Sequence, residues 1–164
     1  MNYVFDTNNI DILNHLIFDS SVEYADVIAS LDETPLVLDL ERRTFENVTR
    51  KKGLIGTTTH YLGRRSELCI YRLRRATVKG ADDRFKDNHF INEITVNRES
   101  NAARLTTCFG LELALEFDND FTIELIDKGE SEFGKGSSLG KHGFTKDEWK
   151  EYLRKKKYAP QHYL

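Results

Sequence analysis

Hydrophobic and polar residues alternate most regularly between residues 88 and 127. One run consists of Leu111, Leu113, Leu115 and Phe117, separated by Glu112, Ala114 and Glu116. A second run, formed by Phe121, Ile123 and Leu125, follows the polar triplet Asp118-Asn119-Asp120. Apolar residues at every second position are typical of a strand with one buried face and one exposed face. The sequence therefore predicts an antiparallel meander with a hairpin turn at the polar triplet.

The same alternation begins earlier in the chain, at residue 36. Leu36, Leu38 and Leu40 alternate with Val37, Asp39 and Glu41, and this strand is predicted to run through Phe45 to Val48. The stretch from residue 68 to residue 79 is also rich in residues that favour strands. We therefore expect an antiparallel sheet from about Leu36 to Asp127.

The residues before this sheet have helical spacing instead. A first helix is predicted over residues 9–18, because Ile10, Leu13 and Ile17 would lie on one face. A second helix is predicted from Ser20, which has the spacing of a capping box with Glu23. Its predicted buried face consists of Val22, Ala25, Ile28 and Ala29.

Two further segments follow the sheet. Residues 128–143 are rich in glycine and are predicted to form a mobile loop. Residues 144–157 are predicted to form a helix, since Thr145 and Glu148 form a capping box ahead of an apolar stripe that begins at Trp149. The expected fold class is α+β, with one domain over residues 1–164. Helices at residues 1–33 and 144–157 would cover the apolar face of a sheet at residues 34–127.

Charge is distributed unevenly along the chain. The first forty residues contain eight acidic side chains and no Lys or Arg, whereas residues 41–86 contain thirteen basic and five acidic ones. The net charge of −3 therefore conceals a block of −8 followed by a block of +8. Such blocks carry information about binding partners rather than about the fold.

Composition indicates a soluble globular protein, with 39% hydrophobic and 31% charged residues in 164. The N-terminus lacks the basic and long apolar regions of a signal peptide, and no apolar run reaches the roughly 20 residues of a membrane span. Cys69 and Cys108 are too few for a disulfide framework. We therefore expect reduced thiols, a cytoplasmic location and no membrane partner.

Two short segments resemble catalytic or nucleotide-binding motifs without completing them. Residues 3–8 resemble the first strand of PIN-type ribonucleases, but no second carboxylate can be assigned to join Asp6 in binding a cation. Residues 129–136 resemble a phosphate-binding P-loop, yet Gly136 replaces the hydroxyl residue that would bind magnesium. The five histidines and two cysteines have no metal-ligand spacing. An enzyme is thus the weakest hypothesis, with no catalytic residue, metal or cofactor assigned.

The favoured hypothesis is a non-enzymatic protein-interaction module. Its predicted binding surface is formed by the acidic residues Asp11, Asp19, Glu23, Asp26, Asp32 and Glu33. In composition and size the chain resembles bacterial immunity proteins, which neutralise toxins by occluding a charged active-site cleft. This resemblance implies an unidentified protein partner, with charge complementarity supplying association rate and specificity.

The alternative hypothesis is a nucleic-acid-binding domain. Arginine donates planar, bidentate hydrogen bonds to phosphate, and tyrosine stacks on bases. The residues predicted to form this surface are Arg42, Arg43, Arg64, Arg65, Tyr71, Arg72, Arg74 and Arg75. Both hypotheses require the acidic and basic blocks to lie apart in the folded protein. The sequence leaves that question, the strand order and the oligomeric state open.

Overall fold

The chain folds into a mainly antiparallel β structure with two short helices. The computed structural model describes residues 2–53, 56–80, 88–131 and 137–139. The strands are β1 (Asn2–Phe5), β2 (Ser21–Glu23), β3 (Leu36–Gly53), β4 (Gly56–Lys79), β5 (Asn88–Asn97), β6 (Ala102–Thr107), β7 (Glu112–Ser131) and β8 (Ser137–Leu139). The helices are α1 (Ile10–Ile17) and α2 (Tyr24–Ser30). This architecture fits the predicted α+β class in part, because both element types are present but strands dominate.

The predictions for the C-terminal part fall largely outside the described residues. The helix predicted at residues 144–157 lies entirely outside them. Of the glycine-rich segment at residues 128–143, residues 128–131 belong to β7 and residues 137–139 form β8.

Six strands close into a barrel, so the prediction of a simple meander was wrong. Hydrogen-bonded neighbours follow the order β7–β6–β5–β2–β3–β4, and β4 pairs again with β7, which completes the ring. β1 adds to β7, and β8 adds to β4. Closure depends on the length of two strands, because residues 63–79 of β4 lie along residues 112–131 of β7. Alternation along one strand reports which face is buried, but it contains no information about which strands become neighbours.

The predicted hairpin at Asp118-Asn119-Asp120 was also wrong. The triplet forms a bulge within the continuous strand β7, because Phe117 lies opposite Leu73 while Thr122 lies opposite Tyr71 on the same partner strand. The bulge brings the rings of Phe117 and Phe121 to a centroid distance of 4.8 Å inside the core. Burial of both rings favours continuation of the strand over reversal of the chain.

Helix α1 confirms the first helical prediction. Leu13 and Ile17 are fully buried, as the spacing indicated. Asn14 binds the backbone of β5: its side-chain amide donates to the carbonyl of Ile94 at 2.9 Å and accepts from the Ile94 N–H at 2.7 Å. β2 pairs only with the first residues of β5, so this side chain satisfies backbone groups beyond the end of β2.

The predicted start and buried face of the second helix were wrong. The residues at its predicted N-terminus form strand β2, and α2 begins at Tyr24 without a side-chain capping hydrogen bond. The helix turns Val27 and Ser30 inward, whereas the residues predicted to be buried on it, Ala25, Ile28 and Ala29, are exposed. Val22 is buried as predicted, but from the strand. Pairing of β2 with β3 and β5 uses the backbone groups that a longer helix would have needed.

One ion pair is buried among the apolar side chains of the described core. Arg42 follows Leu36, Leu38 and Leu40 on the inward side of β3 and is fully buried, as is nearly all of the Asp127 side chain on β7. Arg42 Nη2 donates to both carboxylate oxygens of Asp127, at 3.0 and 3.2 Å, and Nε donates to Oδ1 at 3.2 Å. The hydroxyl of Ser66 on β4 donates to the same Oδ1 at 2.9 Å. This cluster therefore joins three adjacent strands.

We expect Asp127→Ala to lower the free energy of unfolding by about 3–5 kcal/mol, because the buried guanidinium of Arg42 would lose the carboxylate that accepts three of its hydrogen bonds. The control is Glu116→Ala, which removes the partner of Arg74 at 2.8 Å on the surface. That loss should stay below about 1 kcal/mol, since exposed pairs are screened by water. Urea denaturation followed by circular dichroism measures both, and equal losses would contradict the prediction.

Candidate functional site

The acidic side chains predicted to bind a partner are accessible on the folded protein. Asp11, Glu23, Asp26, Asp32 and Glu33 are exposed, and none forms an ion pair with another described residue. Asp19 is half-buried instead, and its carboxylate lies 3.3 Å from Nη1 of the buried Arg43. Five negative charges of the N-terminal block are therefore uncompensated by the described part of the chain.

Large apolar side chains are exposed among these carboxylates. Ile12 is 60% exposed, Phe18 is 55% exposed and Ile28 is 41% exposed. Among the other residues whose side chains the structure describes, only Val4 and Leu62 are comparably exposed. A surface helix of a soluble protein usually presents polar residues to solvent, so these exposures are unusual for two short helices.

The exposed side of α1 is especially apolar. It consists of Asp11, Ile12 and His15, together with Phe18 directly after the helix. At 100° per residue, these four positions span an arc of about 120°. Two large hydrophobic residues thus occupy half of the positions that face water. We call the exposed residues Asp11, Ile12, Phe18, Glu23, Asp26, Ile28, Asp32 and Glu33 the N-terminal face.

The two helices pack on neighbouring strands of the barrel. α1 packs on β3 and β5, and α2 packs on β3 and β2. β3 therefore contacts both helices, and β2 lies between β3 and β5 in the sheet.

Most arginines of the basic block bind oxygen atoms of the same chain. Beyond the pairs of Arg42 and Arg43, the Nε of Arg64 lies 3.8 Å from Asp127, the Nε of Arg65 lies 3.7 Å from Glu41, and Nη2 of Arg74 lies 2.8 Å from Glu116. Arg72 reaches the backbone oxygen of Asp120 at 3.5 Å. Arg75 is exposed and forms no ion pair with a described residue.

The residues predicted to bind nucleic acid therefore do not form one free basic surface. Arg42 and Arg43 are buried, and the hydroxyl of Tyr71 donates to Glu124 at 3.0 Å. That hydrogen bond raises the pKa of Tyr71. The carboxylates that pair with these arginines lie mainly on β3 and β7. Of the six acidic residues predicted to bind a protein partner, only Asp19 pairs with one of the arginines.

A second cluster of titratable side chains lies on the outer side of β4 and β7. Cys69 is buried between Glu67 and Tyr71 on its own strand and lies opposite Glu124. Burial is the main cause that raises the pKa of the Cys69 thiol, followed by the nearby charges of Glu67 and Glu124. Lys128 lies 2.7 Å from Glu67, and this contact raises the pKa of Lys128. A buried, protonated thiol is a poor nucleophile, so the cluster lacks an activated catalytic group.

The two motif-like segments acquire no catalytic partners in the described structure. The carboxylate of Asp6 accepts a hydrogen bond from the backbone N–H of Asn8 at 2.7 Å, so it caps a turn. Of the segment that resembles a P-loop, residues 129–131 extend β7 and residues 132–136 lie outside the described ranges. Within those ranges, no group of three His, Cys, Asp or Glu side chains could hold a metal ion. None of the described helices is long and apolar enough to cross a membrane.

The apolar part of the N-terminal face was missed by sequence reasoning. Ile28 was assigned to a buried face, and Phe18 was assigned only the end of a helix. One signal was present: apolar residues occur on more than one side of α1, since Ile12 and Leu13 are adjacent and Leu16, Ile17 and Phe18 are consecutive. One short helix cannot bury all of them against a single wall of strands.

Comparison with protein-family models, with curated proteins and with solved structures finds no match for this chain. Its function is therefore inferred from the chemistry of its surface, because a fold alone does not imply a function.

The two thiols should differ sharply in reactivity. Cys108 is exposed, whereas Cys69 is buried and has a raised pKa. Iodoacetamide added to the native protein at pH 8 should modify Cys108 and leave Cys69 unmodified, because the thiolate is the reactive form. Peptide mass spectrometry measures the extent at each site. Both should react in urea, and equal rates in the native protein would contradict the assigned burial.

Proposed function

We propose that this protein is a non-enzymatic protein-binding module that binds a basic partner through the N-terminal face. The observation that carries the proposal is the exposure of Ile12, Phe18 and Ile28 among five carboxylates that have no ion-pair partner in the described structure. Surfaces that combine exposed apolar residues with a polar rim commonly mark interaction sites.

Each component of this surface contributes a different part of binding. Removing a large apolar side chain from water stabilises a complex by roughly 1.5–3 kcal/mol when burial is complete. The carboxylates increase the association rate with a positively charged partner and disfavour partners of like charge. The N-terminal face is therefore suited to a folded protein whose contact surface is rich in Lys and Arg.

An immunity-like role is one specific form of this proposal. In that role the N-terminal face would occlude a basic cleft of a toxin, and no chemistry would be required of the module itself. We further propose that the protein acts in the cytoplasm, where Cys69 and Cys108 would stay reduced.

Nucleic-acid binding is less well supported. Five of its seven predicted arginines are within 4 Å of a carboxylate of the same chain, so phosphate would have to compete with those partners. The exposed carboxylates of the N-terminal face would also repel a polyanion.

Neutralising three carboxylates of the N-terminal face should weaken capture of a partner. The variant combines Asp11→Asn, Asp26→Asn and Glu33→Gln, and it should lower the association rate by about 10-fold or more at low salt because electrostatic steering is lost. The measurement is affinity capture of the full chain from a lysate of the source organism, followed by binding kinetics with the recovered protein.

The matched control removes the same charge at a distance from the N-terminal face. Asp118→Asn, Asp120→Asn and Glu130→Gln alter three exposed residues of β7. This control should bind like the wild type. The proposal is wrong if the neutralised variant and the control capture equally, if no stoichiometric protein is recovered, or if the captured material is RNA or DNA.

A further inference from the structure

Phe18 lies in a hydrogen-bonded corner between α1 and β2. Its backbone N–H donates to the carbonyl of Asn14 at 2.9 Å, the N–H of Asp19 donates to Ile91 at 2.8 Å, and the N–H of Ser20 donates to Ile17 at 3.0 Å. The carbonyl of Ser20 in turn accepts from the N–H of Ile91 at 2.9 Å. Every backbone N–H of this three-residue corner is therefore bonded to the helix or to β5.

Asp19 gives the corner its sharp change of direction. Its φ of 61° lies in the left-handed region, which residues other than glycine seldom adopt and aspartate adopts more often than most. Its carboxylate lies 3.3 Å from Nη1 of Arg43, whose side chain is buried in the wall of the barrel. The hydrogen bonds of the corner and the contact with Arg43 hold this conformation, and with it the direction of the Cα–Cβ bond of Phe18.

We infer that Phe18 is the anchor residue of the interface, and that it inserts into an apolar pocket bordered by Lys or Arg on a folded protein partner. This inference rests on the proposed function. An aromatic ring supplies a large contact area with little loss of side-chain entropy, and anchors of this kind dominate the energetics of many interfaces. Because the backbone at Phe18 is already ordered, binding does not incur the entropy cost of ordering it.

The partner follows from the shape and charge of the surroundings. Phe18 projects from the end of a helix and is 55% exposed, so its complement is a pocket rather than a flat surface. Asp11 lies seven residues before it, on the same side of α1, and Glu23 and Asp26 follow on β2 and α2. The N-terminal face to which Phe18 belongs is therefore negatively charged, and lysine or arginine at the border of the pocket complements it.

Photo-crosslinking in the full chain tests this inference. Phe18 is replaced by p-benzoylphenylalanine, which retains the ring, and the control carries the same replacement at Val4, which is 58% exposed on β1. Irradiation in the source organism should give one protein adduct from position 18 and none from position 4. Mass spectrometry should locate the crosslink on an apolar residue close to Lys or Arg in the partner.

Affinity supplies the second measurement. Phe18→Ala should weaken binding of the crosslinked partner by roughly 30-fold or more, as expected for an anchor residue. Val4→Ala should change it by less than about twofold, since residues outside the contact contribute little. Thermal denaturation should show that both variants stay folded, because both side chains are largely exposed.

Several results would overturn the inference. These are no adduct from position 18, equal adducts from both positions, a crosslink within the chain or to a second copy, or an unchanged affinity of Phe18→Ala. If Phe18→Ala binds normally while the neutralised variant does not, the anchor is wrong and the proposed function stands. If position 18 gives the same adduct at the same yield after neutralisation, the anchor stands and the role of the carboxylates is wrong.

Discussion

The buried contact between Arg42 and Asp127 sets the register of the strands that close the barrel. The two residues lie on β3 and β7, which flank β4 on either side. Successive side chains of a strand point to opposite faces, so a shift by one residue would turn one partner outward and leave the other charged inside the core. An unpaired charge in an apolar interior is among the most unfavourable features a fold can contain. The pair therefore disfavours alternative registers of these three strands.

The same use of charge explains the character of the surface. Asp127 forms ion pairs with Arg42 and Arg64. Glu116 pairs with Arg74, and Glu41 pairs with Arg65. Four arginines in the middle of the sequence are thus neutralised by carboxylates on strands of the barrel. Of the six acidic residues predicted to bind a partner, only Asp19, in the corner between α1 and β2, forms such a pair in the described structure. An almost neutral chain consequently presents one region that is clearly negative, and that region coincides with exposed apolar residues of α1 and α2.

The hydrophobic pattern of a strand predicted which of its residues are buried, but it did not predict how the strands pair. The alternation at Leu111–Phe117 identified the buried residues, because it depends only on which side of a strand faces the core. The same pattern could not distinguish a hairpin from a bulge at Asp118–Asp120, since that outcome depends on pairing with β4. The clustering of acidic residues in the sequence indicated that they would be exposed. It did not indicate which carboxylates would pair with the arginines. Arg42 and Asp127 are separated by 85 residues, and no local pattern reports such a contact.

That separation also dictates when the barrel can be completed during protein synthesis. β3 and β4 are consecutive, so they can pair soon after they leave the ribosome. β1 pairs with residues 123–126, and the guanidinium of Arg42 meets its carboxylate at residue 127. In a nascent chain, β1 and the guanidinium of Arg42 must therefore lack these contacts until β7 has been translated. Contacts between residues so far apart in sequence form slowly. The incomplete barrel, with unpaired strands and exposed apolar residues, is therefore the stage most prone to aggregation.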